Sequence, residues 1–101
     1  MPIDERKVRS RLAQLISRQG LMRGTLLVRT YDGEPNCHCA EGDGHESLFV
    51  VISENGRTRQ LFVPKDWEPL VRQWVENHRQ ARQLMEEISR IYWGKVRQRQ
   101  Q

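Results

Sequence analysis

Apolar positions recur along the chain with two different periods. Val8, Leu12, Leu15 and Ile16 return every three or four residues with basic side chains opposite them, which predicts an amphipathic helix over residues 3–19. Asp4 and Glu5 complement the positive end of that helix, and Gly20 stands where a left-handed C-terminal cap is expected. From Gly24 the period shortens. Thr25-Leu26-Leu27-Val28-Arg29-Thr30-Tyr31 is rich in branched and aromatic residues and predicts a strand. Leu48-Phe49-Val50-Val51-Ile52 is an unbroken apolar run, suited to a middle strand covered on both faces. Asn55-Gly56 is a strong two-residue hairpin signal, followed by a return strand, Arg57 to Val63, which Pro64 ends. Residues 32–46, dense in Gly, Asp, Asn and Pro, read as a long loop, and loops of about 15 residues in small domains are usually functional or clamped.

The last third predicts a long helix over 66–98, with Asp66 as N-cap and Pro69 tolerated in the first turn. Trp67, Val71, Trp74, His78, Ala81, Met85, Ile88 and Tyr92 recur in alternating steps of four and three, the spacing of a coiled-coil seam, with Leu70, Leu84 and Ile91 beside them. Roughly 30 helical residues span about 45 Å, longer than a three-stranded sheet covers. Part of the seam therefore needs another surface, most simply a second copy of the chain, and Trp67, Val71, Trp74, Met85, Ile88 and Tyr92 are the expected interface. Gly94 is expected to end or kink the helix, leaving Lys95, Arg97 and Arg99 in a basic tail. The expected fold class is α+β within one domain, 1–101: a helix, a three-stranded antiparallel sheet over 24–64, and a long C-terminal helix.

Composition narrows the function classes. At 101 residues the chain makes one domain, and with 37% hydrophobic and 30% charged residues its core must be small and helped by long helices or a partner. No apolar run approaches the roughly 20 residues of a membrane span, and the charged first residues differ from an apolar leader, so a soluble, cytoplasmic protein is expected. Cys37 and Cys39 sit too close to bridge without strain, which fits reduced thiols in the cytosol. The net charge of +4 conceals a sharp partition. Residues 1–31 carry +5, residues 32–54 carry −6 and residues 57–101 carry +5.

Two constellations carry candidate chemistry. Cys37, Cys39 and His45, with Asp32 or His38 as fourth ligand, would hold a structural zinc ion and supply folding energy to a small core. The alternative is an acidic turn whose short side chains cap its own backbone, since two thiolates at this spacing make no standard finger. No catalytic set emerges: Cys37 and His38 are adjacent and point apart on extended chain, with no third group to orient the imidazole, so a non-enzyme is expected. Glycines 42 and 44 precede a strand, where a phosphate loop would precede a helix.

The second constellation is basic. Arg6, Lys7, Arg9, Arg11 and Arg18 on the first helix, with Arg23, Arg57, Arg59, Lys65, Arg97 and Arg99 elsewhere, form a candidate phosphate-contacting set. Arginine, the better fork for phosphate, supplies fourteen of the seventeen basic side chains. On the long helix the same residue type reads as solvated ion pairs, Arg72 with Glu68 or Glu76 and Arg90 with Glu86 or Glu87. Trp67, Trp74 and Trp93 read as core or interface anchors ahead of base-stacking platforms.

Arg23-Gly24-Thr25-Leu26, Gly33-Glu34-Pro35-Asn36-Cys37-His38-Cys39-Ala40-Glu41-Gly42, Gly44-His45, Gly56-Arg57-Thr58-Arg59, Val63-Pro64-Lys65 and Val71-Arg72-Gln73-Trp74-Val75-Glu76-Asn77 together carry a resemblance. Over roughly residues 22–92 the chain resembles a family of small bacterial and archaeal proteins, a domain of unknown function. The family pattern runs Arg-Gly-Ser-Leu, Cys-Gly-Lys-Pro-x-Cys-x-Cys, His-Gly-Pro-Tyr, Gly-Lys-Thr-Arg and Val-Pro-Lys. Members are described as transposase-like or lie near mobile elements, which implies a nucleic-acid context. The family's first cysteine falls on Asp32, its basic loop residues on Glu34, His38 and Glu41, and its Gly-Pro-Tyr on Glu46-Ser47-Leu48. The resemblance and the basic ends imply a nucleic-acid-binding accessory of a mobile-element or defence assembly. The alternative is a protein adaptor that grips a nuclease or transposase through its long helix and acidic loop.

Overall fold

A computed structural model describes residues 4–31 and 45–100. Its order is helix α1 (Glu5–Arg18), strands β1 (Thr25–Tyr31), β2 (His45–Glu54) and β3 (Arg57–Val63), a 3-10 turn (Lys65–Trp67) and helix α2 (Glu68–Arg99). The fold is α+β. Asp4 caps α1 by accepting hydrogen bonds from the backbone N–H groups of Arg6 (3.0 Å) and Lys7 (3.4 Å).

The sheet is an antiparallel meander, β1-β2-β3. Asn55 (φ 52°) and Gly56 (φ 76°) both adopt positive φ, the conformation a two-residue hairpin needs to match the strand twist. Strand β2 begins at His45, three residues before the apolar run, and pairs Tyr31 with His45 through Thr25 with Val51. Leu48 stands opposite Val28 and Val63, and Val50 opposite Leu26 and Leu61, so these positions share one face. Leu48, Val50 and Val63 on that face bury against Val71 of α2, with Met22, Leu26, Trp74 and Val75 around them.

Four local expectations are corrected. The sheet is covered on one face only among the described residues: on the other, Leu27, Phe49 and Phe62 align across the three strands, and Phe62 is 54% exposed. Phe49 and Phe62 meet edge to face at 5.8 Å, and the Arg29 guanidinium lies 5.4 Å from the Phe49 ring centre. Gly20 is not a left-handed cap; α1 ends on an extended Gln19, and a side chain at Gly20 would strike the Trp74 indole. Asp66 falls inside the 3-10 turn, and α2 starts after Trp67 without a side-chain cap. Gly94 neither ends nor kinks α2, which continues to Arg99.

The two helices run antiparallel. The start of α1 reaches Tyr92 and Lys95, while Gly20 beyond its end contacts Trp74 and Asn77. Val8 and Ala81 are the buried apolar positions of the pair, Asn77 is buried beside them against the end of α1, and Val71 belongs to the core under the sheet. Two expected interface residues, Val71 and Trp74, are thus used within the chain. Met85, Tyr92, Trp93 and Val96 lie further along α2 and remain exposed. With 32 residues α2 is about 48 Å long, the longest element of a chain whose extents are 67 × 30 × 25 Å.

Candidate nucleic-acid interface

On α1, Lys7, Arg11 and Arg18 are spaced by four and seven residues and so share one flank beside the buried Val8 stripe. Arg11 and Arg18 line a groove of about 680 Å³ against Arg79, Gln80, Gln83 and Glu87 of α2. A second cleft, of about 940 Å³, lies between the Gly24 and Ser53 end of the sheet and α2. Arg23 lines it from the sheet side, and His78, Arg79, Arg82, Glu86, Glu87 and Arg90 from the helix side. Arg79, Gln83 and Glu87 line both, so the grooves meet along one ridge of α2 and form one face with arginines on either side of the ridge.

The electrostatics of that face follow from who is already paired. Arg79 grips Glu76 with two donors, Nε to Oε2 at 2.9 Å and Nη2 to Oε1 at 2.5 Å, and this holds the Glu76 carboxyl below the usual glutamate range. Arg23 donates from Nη1 to the Ser53 carbonyl at 3.4 Å, which fixes its side chain without neutralising it. Arg11, Arg18, Arg82 and Arg90 make no ion pair among the described residues. Among the described residues the acids of the two grooves without an ion pair are Glu86 and Glu87.

The basic set expected from sequence is divided by the fold. Arg11 and Arg18 line one groove and Arg23 the adjoining one. Arg9 belongs elsewhere: its Nε donates to Glu5 Oε2 at 2.6 Å and its Nη2 to the Tyr92 hydroxyl at 3.0 Å, and that hydroxyl donates to Glu5 Oε2 at 3.0 Å. Lys95 completes this clasp, with Nζ 3.8 Å from Glu5 Oε1 and 4.6 Å from the Tyr92 ring centre. The Arg9 guanidinium first, then the Tyr92 hydroxyl, hold the Glu5 carboxyl below its usual range. Tyr92 is therefore tied into the contact between the helices of one chain. Arg59 pairs with Glu54 at 3.8 Å, Arg57 stands opposite Glu54 in the hairpin, and Lys65 lines a small pocket with Glu46, Glu68 and Arg72. Arg6 is exposed two positions before the buried Val8, and Arg97 and Arg99 occupy the last turn of α2.

Arg82 and Arg90 are contributors outside the basic set expected from sequence. Arg72 and Arg90 were read as paired, yet Glu76 pairs with Arg79 in place of Arg72, and Arg90 pairs with neither Glu86 nor Glu87 among the described residues. The available signal was the spacing 79, 82, 86, 90, which keeps four residues on one side of a helix.

Asp32, Cys37, His38 and Cys39 of the expected zinc set lie outside the described residues, as does the side chain of His45. Among the described residues no three His, Cys, Asp or Glu side chains gather as metal ligands. No described helix is long and apolar enough to cross a membrane.

No curated protein and no solved structure matches the chain. One family model does, over residues 3–73, which takes in α1, the sheet and the first turns of α2. On that match, covering well over half of its length, the chain belongs to the family described as Domain of unknown function (DUF6788).

Proposed function

We propose that this protein is a non-enzymatic accessory that binds the phosphate backbone of nucleic acid through the basic face shared by the two grooves. The observation carrying this reading is the convergence of Arg11, Arg18, Arg23, Arg82 and Arg90, each without an acidic partner among the described residues, on surfaces that meet at Arg79. Arginines open to solvent and unneutralised, four of the five carried on helices, are what a polyanion needs; each phosphate they neutralise adds to a salt-dependent affinity. The motif resemblance adds the context of a cytoplasmic mobile-element or defence assembly, in which such a protein positions nucleic acid for a catalytic partner.

Fluorescence anisotropy with labelled oligonucleotides at low and rising salt tests the proposal. The expected result is binding whose log Kd rises linearly with log salt, with a smaller slope in Arg11→Ala, Arg18→Ala and Arg82→Ala and an unchanged slope in Arg59→Ala. No binding of any oligonucleotide at low salt overturns it.

A second reading has its own observation. Met85 (59% exposed), Val96 and Ile16 present apolar surface beyond the sheet, which suits a protein partner such as a nuclease or transposase, or a second copy of the chain. Light scattering gives the mass of the chain in solution, and capture from native extract that survives nuclease treatment separates an adaptor from a nucleic-acid binder.

A further inference from the structure

The last residue of α2 that lines the cleft against the sheet is Arg90, and the same side of the helix continues beyond it as open surface. Arg82, Glu86 and Trp93 lie along one line of the helix, Trp93 being seven residues, or two turns, beyond Glu86. Arg90 and Arg97 flank Trp93 one turn before and one turn after it. Trp93 is the most exposed of the exposed large hydrophobics, at 69%, and among the described residues its ring has no aromatic partner and its indole N–H no hydrogen bond. The other two tryptophans differ: Trp67 and Trp74 stack edge to face on each other at 5.9 Å, and Trp74 packs on the core. Arg82 and Arg90 line the cleft without an ion pair, and Arg97 also has none among the described residues.

From this we infer that the cleft and its extension bind a single-stranded nucleic acid, with a base stacked on Trp93 and phosphates on Arg82, Arg90 and Arg97. The inference rests on the nucleic-acid reading above and specifies its ligand. An open indole between two arginines offers a π face and positive charge together, the combination that non-sequence-specific single-strand binders use. A duplex hides its base faces within the stack and gains from the arginines alone. Glu86, one turn from both Arg82 and Arg90, reduces the local charge and makes the stacking contribution decisive for affinity.

Anisotropy with a fluorescein-labelled oligothymidylate of about 15 nucleotides, within known site sizes, and a duplex of the same length tests it. Trp93→Ala should weaken single-strand binding on the order of tenfold and leave duplex binding unchanged, while Trp93→Phe restores most of the affinity. Arg82→Ala with Arg90→Ala should lower the single-strand salt slope by about 0.7 for each phosphate no longer neutralised. Melting curves verify that each variant folds, as expected for exposed positions. Failure of the wild type to bind either probe overturns the nucleic-acid reading itself, and this inference with it. Wild-type binding that Trp93→Ala leaves unaltered on single strands overturns only the inference. A wild-type dimer that Trp93→Ala converts to monomer, with affinity per chain unchanged, also overturns it and assigns the indole to an interface between copies.

Discussion

Replacing Gly20 by alanine isolates the contact that seats the connector between α1 and β1. The new Cβ would lie 2.5 Å from Trp74 Nε1, 2.6 Å from Cδ1 and 3.0 Å from Cε2, well inside van der Waals distance. Neither side can give way freely. The indole is held against Trp67 and the core around Leu48, Val50, Val63 and Val71. The connector is pinned from both sides of the contact: Asn77 Nδ2 donates to the Gly20 carbonyl at 3.0 Å, and the Met22 N–H donates to the Trp74 carbonyl at 3.1 Å. Overpacking of this kind costs about 1–3 kcal/mol, and restriction of the unfolded chain returns about 0.4–1 kcal/mol. With the Cβ only 2.5 Å from Nε1 the overpacking cost falls in the upper half of its range, so the net destabilisation is about 1–2.6 kcal/mol, a fall in Tm of roughly 4–20 °C for a domain of this size. Thermal and urea unfolding of wild type, Gly20→Ala, Trp74→Phe and the double variant measure it. The smaller phenyl ring makes room for the methyl group, so Gly20→Ala should cost little in the Trp74→Phe background, with a coupling of about 1 kcal/mol or more. An equal penalty in both backgrounds, or no penalty in either, would refute a role based on close approach.

Further outcomes follow from other contacts. Asn77, 3% exposed, donates to Gly20 and accepts from Gln73 Nε2 at 2.8 Å; Asn77→Ala should cost about 1–3 kcal/mol in urea unfolding. Asn77→Asp should be worse at neutral pH, because its carboxylate cannot donate to the Gly20 carbonyl, and should recover as pH falls and a protonated carboxyl regains a donor. Glu5 has a folded pKa below its unfolded value, so its stabilisation is present above the ordinary glutamate range and is lost as pH falls through the depressed value. The Tm gap between wild type and Glu5→Gln should therefore be open at neutral pH and close in acid; a gap independent of pH contradicts the clasp. For the zinc expectation, native mass spectrometry should show one zinc per chain that is lost in Cys37→Ser, whereas a metal-free chain whose melting is indifferent to chelator removes it.

Local chemistry was legible wherever a few neighbouring residues determine the outcome. Asp4 and Glu5 read as acids at the positive end of the first helix, although the helix was expected from residue 3 and Asp4 proves to be its N-cap, and Asn55-Gly56 reads as a turn because positive φ is cheap there. Val71 and Trp74 were legible as apolar helix positions, but which surface they meet was not, since the seam carries the same spacing under the sheet and beyond it. The run Leu48–Ile52 suggested two covered faces, yet a continuous apolar strand and a half-covered one look alike when the uncovered face is aromatic. Contacts between distant residues were invisible. Gly20 and Trp74 are 54 positions apart, and Arg9 and Tyr92 are 83, so the glycine looked like a cap and the arginine like a free cation. At the candidate site, Arg11, Arg18 and Arg23 were recognisable from charge, whereas Arg82 and Arg90 were masked by acids at pairing distance in sequence that form no pair in space.

The clasp of Glu5, Arg9, Tyr92 and Lys95 bears on the order in which the chain acquires structure. α1 has 14 residues, about the length at which an isolated helix is marginal in water, and its docking surface lies on α2 between Asn77 and Lys95. During synthesis the first helix is therefore made long before the surface that stabilises it, and its closing contacts span more than eighty residues of intervening chain. The hairpin of β2 and β3 can form earlier, from short-range pairing. A chain cut at the end of the family match, after Gln73, would keep α1, the sheet and the first turns of α2 yet lack the surface against which α1 packs, leaving Val8, Leu12 and Leu15 exposed and prone to aggregate.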